Sequence, residues 1–501
     1  MNDINSMTCQ SEKISDIKWK DIKWEKAEKY VKRLQIRIVK AVKTKKWNLV
    51  KRLQHLLINS FFAKALSIKK VTTNKGKKTA GIDGVMWNKE EDKKMAIFEL
   101  STIKYKALPT KRIYIPKKNG KLRPLSIPTM KDRAMQTLQL LGLQPIEETL
   151  GDKNSYGFRK YRSCQDAMSR IFMSLSHKND PEWILEGDIK GCFDNISHEW
   201  ILKNIPMDKT ILKEFLKAGF IYNKKLFPNS KGAAQGGAIS PTIANMTLDG
   251  LEDYIYNNIN IGKRGKIIKS KNKYKIRFIR YADDFIVASK DKEILIKVTN
   301  LIKQFMKERG LELSDEKTVI TNIKNGFDFL GWNFRKYNGK LIIKPSKRSM
   351  QGVKQKISDI IKKDISAKQA NIIYELNPII IGWSNYHQSV CSRKTFHKLD
   401  DFVFNQLYYN WALKRHRKKG QKWVINKYWK NMENRKWIFM EKDKYLRNFS
   451  DTPIVRHYWI DTNKNPYLDE IYFKTLKEKY KNNKFQRRKK TVAFNFMKQT
   501  N

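Results

Sequence analysis

Two adjacent aspartates between two apolar runs constrain this chain more than any other feature. The stretch KIRFIRYADDFIVASK spans residues 275–290 and places Asp283 and Asp284 between segments rich in β-branched and aromatic residues. Such segments on either side of a short polar turn predict a β-hairpin. Two like charges at its tip repel, which raises the proton affinity of one carboxylate unless a cation binds there. The tip is therefore either an ordinary polar turn, which is common for an isolated Asp pair, or a metal site.

A third carboxylate follows another apolar run upstream. The stretch WILEGDIKGCFDNI spans residues 183–196, and Asp188 comes directly after residues that suit a buried strand. If that strand lies beside the hairpin, the three carboxylates converge. Three carboxylates can hold two Mg²⁺ ions about 4 Å apart, an arrangement that clamps the attacking and leaving oxygens in phosphoryl transfer. This order of segments favours a metal site over a simple polar turn.

The charge of the chain predicts a polyanionic partner. It has 104 Lys and Arg against 49 Asp and Glu, a formal net charge of +55. Nucleic acid is the natural partner for such a surface; a membrane surface is less favoured because the excess is spread along the whole chain and not focused on one amphipathic helix. We find no apolar run long enough to span a bilayer and no secretory segment, so we expect an intracellular protein. The four cysteines are too widely spaced for paired-cysteine zinc sites.

The periodicity along the chain predicts an α+β fold. Residues 20–70 show helical spacing, residues 110–335 mix short strand-like runs with helices, and residues 336–349 resemble a hairpin or linker. Helical patterns return after residue 350. One apolar stripe there contains Phe396, Leu399, Val403, Leu407 and Trp411. The final 80 residues are basic and aromatic with weaker periodicity, which predicts a basic tail.

Eight stretches occur in an order that resembles the reverse transcriptase–maturase proteins encoded by group II introns. They are GIDGV (81–85), RIYIPKKNGKLRPLSIPTMKDRAMQ (112–136), SYGFRKYRSCQDA (155–167), ILEGDIKGCFDNI (184–196), AQGGAISPTIANMTLDGLE (234–252), RYADDFIV (280–287), LELSDEKT (311–318) and FDFLGWNF (327–334). The resemblance implies a right-hand polymerase. It divides the chain into an N-terminal helical extension of the fingers (1–100), reverse transcriptase fingers and palm (101–338), a helical thumb or maturase (X) domain (348–420), and a basic nucleic-acid-binding segment (421–501).

The resemblance also assigns roles in catalysis. Asp188, Asp283 and Asp284 match the catalytic, metal-binding carboxylates, and the backbone carbonyl of Ile189 would join the metal ligands. Phe193 matches a steric gate that excludes a ribose 2′-OH, although plain core packing also suits a phenylalanine there.

Five further residues match the positions that bind the incoming nucleotide. They are Arg123, Lys117, Gln235, Gly236 and Lys317. The planar guanidinium of Arg123 suits binding of a triphosphate. For Lys117 and Lys317, an ordinary solvated surface lysine is an equally good interpretation. Two loops depart from the common family pattern, AAQGG in place of PQGG and RKYRS in place of RPGRS; both keep the polar residue, Gln235 and Arg159.

RNA binding requires positive charge for phosphates and flat aromatic faces for bases. The C-terminal region supplies both. The predicted RNA-binding residues are Lys414, Arg415, Arg417, Lys418, Lys419, Lys422, Arg487 and Arg488. In GWSNYH (382–387), by contrast, Trp383, Tyr386 and His387 are expected to be packing residues.

The resemblance implies two activities. The protein would bind its intron RNA to promote splicing, and it would copy an RNA template into DNA from a DNA or RNA primer, with dNTPs and two Mg²⁺ ions. Target DNA would be a further partner, and the sequence sets no oligomeric state. The expected compartment is a bacterial cytoplasm or the matrix or stroma of an organelle that encodes the protein. No paired cysteines or clustered histidines precede residue 501, so no endonuclease module is expected. The alternatives are a splicing-only maturase and a related defence or retron-type reverse transcriptase.

Overall fold

The computed structural model describes residues 18–116, 120, 122–260, 272–432 and 435–497, with side chains of the last helix as far as Arg487. Lys117 lies outside these residues. In chain order, the strands are β1 (Thr110–Pro116), β2 (Leu122–Ile127), β3 (Trp183–Gly187), β4 (Phe220–Tyr222), β5 (Lys225–Phe227), β6 (Arg277–Tyr281), β7 (Asp284–Ser289), β8 (Val319–Asn322), β9 (Phe327–Phe329), β10 (Trp332–Tyr337), β11 (Lys340–Pro345), β12 (Trp429–Met432), β13 (Arg435–Glu441) and β14 (Lys444–Tyr445).

The helices of the N-terminal part are α1 (Trp24–Lys43), α2 (Trp47–Asn59), α3 (Phe61–Thr73), α4 (Glu90–Glu99), α5 (Met130–Leu150), α6 (Cys164–Leu175), α7 (Cys192–Asn195), α8 (His198–Asn204), α9 (Lys209–Lys217), α10 (Ser240–Leu248), α11 (Leu251–Ile259) and α12 (Lys292–Lys307). Those of the C-terminal part are α13 (Lys347–Lys363), α14 (Gln369–His387), α15 (Arg393–Leu407), α16 (Gln421–Tyr428) and α17 (Glu470–Met497). A π-helical turn (Tyr408–Ala412) and a short helical turn (Leu413–Arg415) follow α15.

The N-terminal helices pack onto the following domain instead of forming a separate body. Helix α1 buries Val31, Leu34 and Ile38, which recur every three or four residues, and leaves its lysines on the outer face. Helices α1, α2 and α3 all contact α5. Their apolar stripes and that of α5 belong to one hydrophobic core.

Two small sheets form the predicted fingers and palm. The fingers sheet has the order β2-β1-β4-β5, in which β1 and β4 are parallel and the other neighbours antiparallel. The palm sheet has the order β6-β7-β3-β8, with all neighbours antiparallel. In β7, Phe285 and Val287 belong to the core shared with α5, whereas Ile286 and Ala288 belong to a second core on the other face. Burial on both faces explains why residues 285–288 of this strand are all apolar.

A three-stranded sheet, β11-β10-β9, connects the palm to the thumb. The β10–β11 hairpin turns at Asn338 and Gly339, both with positive φ (49° and 78°), the backbone that a two-residue hairpin loop requires. Of the two interpretations of residues 336–349, a hairpin or a linker, the structure shows the hairpin, whose strands run from Trp332 to Pro345. Trp332 of β10 stacks on Tyr386 of α14 with ring centroids 4.7 Å apart, and the Tyr386 hydroxyl donates to the Leu330 carbonyl (2.8 Å). The GWSNYH stretch thus docks the thumb on this sheet.

The thumb has its own core. All five residues of the predicted stripe, Phe396 to Trp411, are buried in it. The same core includes Val424, Tyr428 and Phe439 from α16 and β13. The predicted boundary at residues 420–421 falls inside this shared core, and the division of the chain into four domains stays a prediction.

The segment after the thumb returns to the palm before it ends in α17. His457 Nε2 lies 2.7 Å from Asp166 Oδ1 at the start of α6, and Phe473 stacks on Tyr161 (5.2 Å between centroids). Glu470 forms an ion pair with Lys32 of α1. Where the sequence predicts a basic tail, the structure has a strap (residues 449–473) and a helix that join thumb, palm and N-terminal helices. Among the described residues no helix combines the length and apolarity needed to cross a bilayer.

Candidate functional site

The palm sheet brings the three predicted carboxylates to one end. Strands β3 and β7 are antiparallel and pair Gly187 with Phe285, so the next position along this register sets Asp188 beside Asp284. This close pairing depends on glycine, because a Cβ at position 187 would lie 2.2 Å from the Phe285 ring. The β6–β7 hairpin closes through the pair Tyr281–Asp284 and leaves only Ala282 and Asp283 in its turn. The predicted hairpin and the predicted buried strand are both confirmed.

The electrostatics at this end show that the carboxylates interact. Burial, then Asp283 and Asp188, raise the pKa of Asp284 to about 6, and Lys317 opposes the shift. Burial is also the largest cause that raises the pKa of Asp283; Asp188 adds to it, whereas Arg123 and Lys317 lower it. Carboxylates that repel one another in a partly desolvated place favour a bound cation.

Lys317 is a cation of the chain that contacts one of these carboxylates directly. The segment 311–318 runs beside the residues that follow β3: Ile189 and Leu313 form a bridge, and Ser314 N donates to the Asp188 carbonyl (2.9 Å). This places Lys317 Nζ 2.8 Å from Asp188 Oδ2, and the ion pair raises the pKa of Lys317. The predicted residues Asp188 and Lys317 are therefore in direct contact.

Arg123 and Gln235 also lie together, although 112 positions separate them in the sequence. With its amide oriented so that both ends are satisfied, Gln235 accepts from Arg123 Nε (3.2 Å) and Nη2 (3.0 Å) and donates to the Pro124 carbonyl (2.7 Å). Gly236 has φ +119°, and a Cβ there would lie 2.4 Å from the Ser126 carbonyl oxygen. The glycine is what lets this loop lie against strand β2.

Phe193 belongs to the same group of loops. It lies on the short helix α7, which Gly191 begins in a left-handed conformation (φ 55°). The Phe193 carbonyl accepts from Ala233 N (2.7 Å), two residues before Gln235. Its side chain is half-buried and packs against the main core. The role of a steric gate stays a prediction, as does that of the Ile189 carbonyl as a metal ligand.

The sequence reasoning missed the buried support under the Asp283–Asp284 turn. Arg280 is fully buried; its Nη2 contacts Asp249 Oδ1 (2.5 Å), and its Nη1 contacts Asn245 Oδ1 (3.3 Å) and the Ala282 carbonyl (3.4 Å). Asn245 in turn donates to the Gly157 carbonyl (2.9 Å). The signal in the sequence is a second arginine in β6, three residues after Arg277 and next to the turn, at a position where a buried charge is tolerated only if it is paired.

The SYGFR loop completes this support. A Cβ on Gly157 would lie 2.3 Å from Ala282 N, so the loop presses directly on the turn. Arg159 is kept in the RKYRS stretch, which differs from the common family pattern RPGRS. It is buried and forms an ion pair with Glu148 Oε2 (2.9 Å). It also donates to the Asp152 carbonyl (2.6 Å). Its contacts are those of a loop support.

The donor set at the end of the palm sheet suits a hard divalent cation, because carboxylate oxygens are the ligands that Mg²⁺ prefers. Within the described residues, no group of three or more Asp, Glu, His or Cys side chains is already arranged to hold a metal ion. The Lys317 ammonium lies on one oxygen of Asp188 instead. The chemistry of the donors fits Mg²⁺.

The predicted RNA-binding residues between positions 414 and 422 are exposed. Lys414, Arg417, Lys418, Lys419 and Lys422 are all exposed. Arg415 is exposed as well, but its Nη1 donates to the carbonyls of residues 365, 366 and 367 at the turn between α13 and α14 (3.3, 3.1 and 2.7 Å). Arg487 is exposed on α17, and the side chain of Arg488 lies outside the described residues. RNA binding by these residues stays a prediction.

The fold and the grouped carboxylates define a reverse transcriptase-type polymerase domain, and comparison with known families agrees. A model of reverse transcriptase (RNA-dependent DNA polymerase) matches residues 115–334. Models of the N-terminal domain of reverse transcriptase and of the group II intron maturase-specific domain match residues 19–100 and 350–429.

Several individual proteins are also similar to this chain. Protein YkfC of Escherichia coli (strain K12) is 31% identical over 293 residues, which cover 52% of this chain and 76% of that protein. The group II intron-encoded protein LtrA of Lactococcus lactis subsp. cremoris is 33% identical over 322 residues, covering 52% of this chain and 53% of LtrA. Maturase-like protein 1 of Euglena gracilis is 24% identical over 382 residues, which cover 73% of this chain and 76% of that protein. The chain belongs to the group II intron-encoded reverse transcriptase–maturase family, and it spans about half the length of LtrA.

Proposed function

We propose that this protein polymerises DNA on an RNA template and also binds its intron RNA to promote splicing. The observation that carries the proposal is the convergence of Asp188, Asp283 and Asp284 at one end of the palm sheet, beside Lys317 and the Arg123–Gln235 pair. A primer 3′-OH would attack the α-phosphate of a dNTP, and pyrophosphate would leave. Such a transfer depends on positioning and on neutralising charge.

Each group has a task that its surroundings support. Asp188, Asp283 and Asp284 would hold two Mg²⁺ ions, which lower the charge barrier between nucleophile and phosphate when bound. Gln235 accepts two hydrogen bonds from the Arg123 guanidinium and so orients it, and a fixed guanidinium suits the phosphates of the incoming nucleotide. Lys317, whose pKa is raised beside Asp188, stays protonated and can donate to the leaving pyrophosphate. Phe193 would stand against a ribose 2′-OH.

The maturase role rests on a different part of the chain. The match of residues 350–429 to the maturase-specific domain and the exposed basic surface of residues 414–422 support binding of intron RNA by the thumb. We infer that binding stabilises the folded intron because phosphate repulsion opposes compaction of any RNA. The protein would act where the intron is transcribed, in a bacterial cytoplasm or in an organelle.

Primer extension on an RNA template with dNTPs and Mg²⁺ tests the polymerase. Wild type is compared with Asp283→Ala/Asp284→Ala and with a control, Glu90→Ala/Glu91→Ala. The control removes two exposed acidic residues that are neighbours in the sequence and lie in α4. We expect extension by wild type and control but none by the Asp variant. All three proteins are also added to the host intron RNA, and all three should promote its splicing.

The two assays separate the alternatives. If none of the proteins extends a primer while all promote splicing, the protein is a splicing-only maturase. Extension without any effect on splicing would leave the polymerase and remove the maturase role.

A further inference from the structure

A second polar site lies in the thumb, apart from the carboxylates. A cavity of about 610 Å³ opens where α14 begins, between the turns that follow α15, the end of α16 and the turn from β13 to β14. This volume is within the range of about 300–1,000 Å³ found for small-molecule sites. No residue assigned above to catalysis lines the cavity, and of the predicted RNA-binding residues only Arg415 does.

The cavity wall is strongly positive. Its cationic side chains are Lys368, Arg415, Lys427, Lys430 and Lys442. Glu441 is the acidic residue of the lining, and its Oε2 already accepts from the Ala370 backbone N–H (2.7 Å). Burial lowers the pKa of His416, and repulsion by Lys427, Arg415 and Lys419 lowers it further. A wall that disfavours another positive charge favours an anion.

The wall also contains aromatic rings, beside Gln369 and Met440. Trp411 and Tyr428 meet edge to face with centroids 4.7 Å apart, and His416 Nε2 lies 2.6 Å from the Tyr428 hydroxyl. Trp411 is itself fully buried in the thumb core, so the rings that reach the cavity are those of His416, which is half-buried, and Tyr428. A ligand that combines an anion with a flat ring is a nucleotide.

The surroundings of the cavity favour a nucleotide within a polymer. Arg415 and His416 belong both to the cavity and to the basic run 414–422 outside it. Next to them, Lys419 and Lys427 lie over the ring of Trp423 (5.6 and 4.7 Å), which is 41% exposed. Cations for neighbouring phosphates and an exposed ring for a neighbouring base suit single-stranded RNA.

We propose that this cavity captures one unpaired, extruded nucleotide of an RNA strand whose flanking phosphates contact the basic run. The inference rests on the proposed function in that it takes RNA as the partner of the thumb. It adds a specific subsite: the base of the captured nucleotide enters the cavity beside His416 and Tyr428, and the phosphate of that same nucleotide lies near Lys427 and Lys430.

Photo-crosslinking of the full chain tests the subsite. The probe is a single-stranded 12-nucleotide oligouridylate that contains 4-thiouridine, and crosslinked peptides are identified by mass spectrometry. We expect crosslinks to His416 or Tyr428. Lys427→Ala/Lys430→Ala should reduce their yield roughly tenfold, in line with the loss of two phosphate contacts. The matched control Lys213→Ala/Lys217→Ala removes two exposed charges from α9 of the palm and should change the yield less than twofold.

Three results would overturn the proposal. One is the absence of any crosslink to the cavity residues. Another is an equal loss of yield in the cavity variant and the palm control, which would indicate general charge attraction alone. The third is full competition by free UMP at the concentration of RNA nucleotides, which would indicate a mononucleotide site. Primer extension and splicing by wild type test the proposed function separately: if both fail, that function falls, whereas a missing crosslink with both activities intact removes only the subsite.

Discussion

Replacement of Arg280 by methionine should weaken the palm, and more at high pH than at low pH. The guanidinium is fully buried, 2.5 Å from Asp249 Oδ1 and 4.0 Å from Asp152 Oδ2. Methionine fills much of the space but leaves two carboxylates without their cation. Removing one partner of a buried ion pair costs about 3–5 kcal/mol, which is a large part of a typical stability of about 5–15 kcal/mol.

The sign of the pH dependence follows from the two carboxylates. Burial raises the pKa of Asp249, and burial raises that of Asp152 to about 6 even with Arg280 opposing the shift. Without Arg280 both folded-state pKa values rise further above their unfolded values. A group of this kind stabilises the fold below its unfolded pKa and loses that contribution as the pH rises through the folded pKa. The variant should therefore lose less stability at pH 5 than at pH 8.

Hydrogen exchange of the peptide that covers residues 276–289 measures this locally, which avoids a two-state treatment of a multi-domain chain. The control is Arg277→Met, which removes a half-buried arginine from the same strand. We expect faster exchange in the Arg280 variant, with the larger effect at pH 8 after correction for intrinsic rates. Equal protection in variant and control, or a larger effect at pH 5, would refute the assignment of Arg280 as the support of the Asp283–Asp284 turn.

Three further outcomes are expected. Burial and the neighbouring aspartates raise the pKa of Asp284 to about 6, so protons compete with Mg²⁺ for this carboxylate at low pH. The Mg²⁺ concentration needed for half-maximal primer extension should therefore be lower at pH 8 than at pH 5.5. A concentration that does not change with pH would contradict the role of Asp284 as a ligand. Gly187→Ala should lower the free energy of unfolding by about 1–3 kcal/mol, because the new methyl group overlaps the Phe285 ring. In a double-mutant cycle, Gly187→Ala/Phe285→Leu should lower it by less than the sum of the two single changes. Phe473→Ala should release the strap from Tyr161. Hydrogen exchange should then be faster in residues 455–473 and unchanged in β7. Exchange in the strap as slow as in wild type would show that the stacked pair contributes little to holding the strap on the palm.

Local patterns predicted the parts of the site that lie on short, regular segments. The Asp283–Asp284 hairpin and the strand before Asp188 follow from alternation and turn chemistry, which act over a few residues. The stripe from Phe396 to Trp411 is buried as its helical spacing predicts.

The support under the site was not predictable in the same way. Arg280 contacts Asp249 and Asn245, and their partnership depends on how α10 lies against the palm sheet. The C-terminal strap was missed for a related reason: its irregular segment has no periodicity, and it is held by single contacts such as His457 with Asp166, far away in the sequence.

The sequence by itself determined the order of the segments, the chemistry of the donors and the positive charge that calls for nucleic acid. These depend on residue types and short spacings. The tertiary structure alone decided that Lys317 pairs with Asp188, that Gln235 orients Arg123, and that the basic tail is a strap and helix docked on the palm. The physical reason is that such contacts join residues about 100 or more positions apart, and they arise only when packing of apolar faces fixes the elements that carry them.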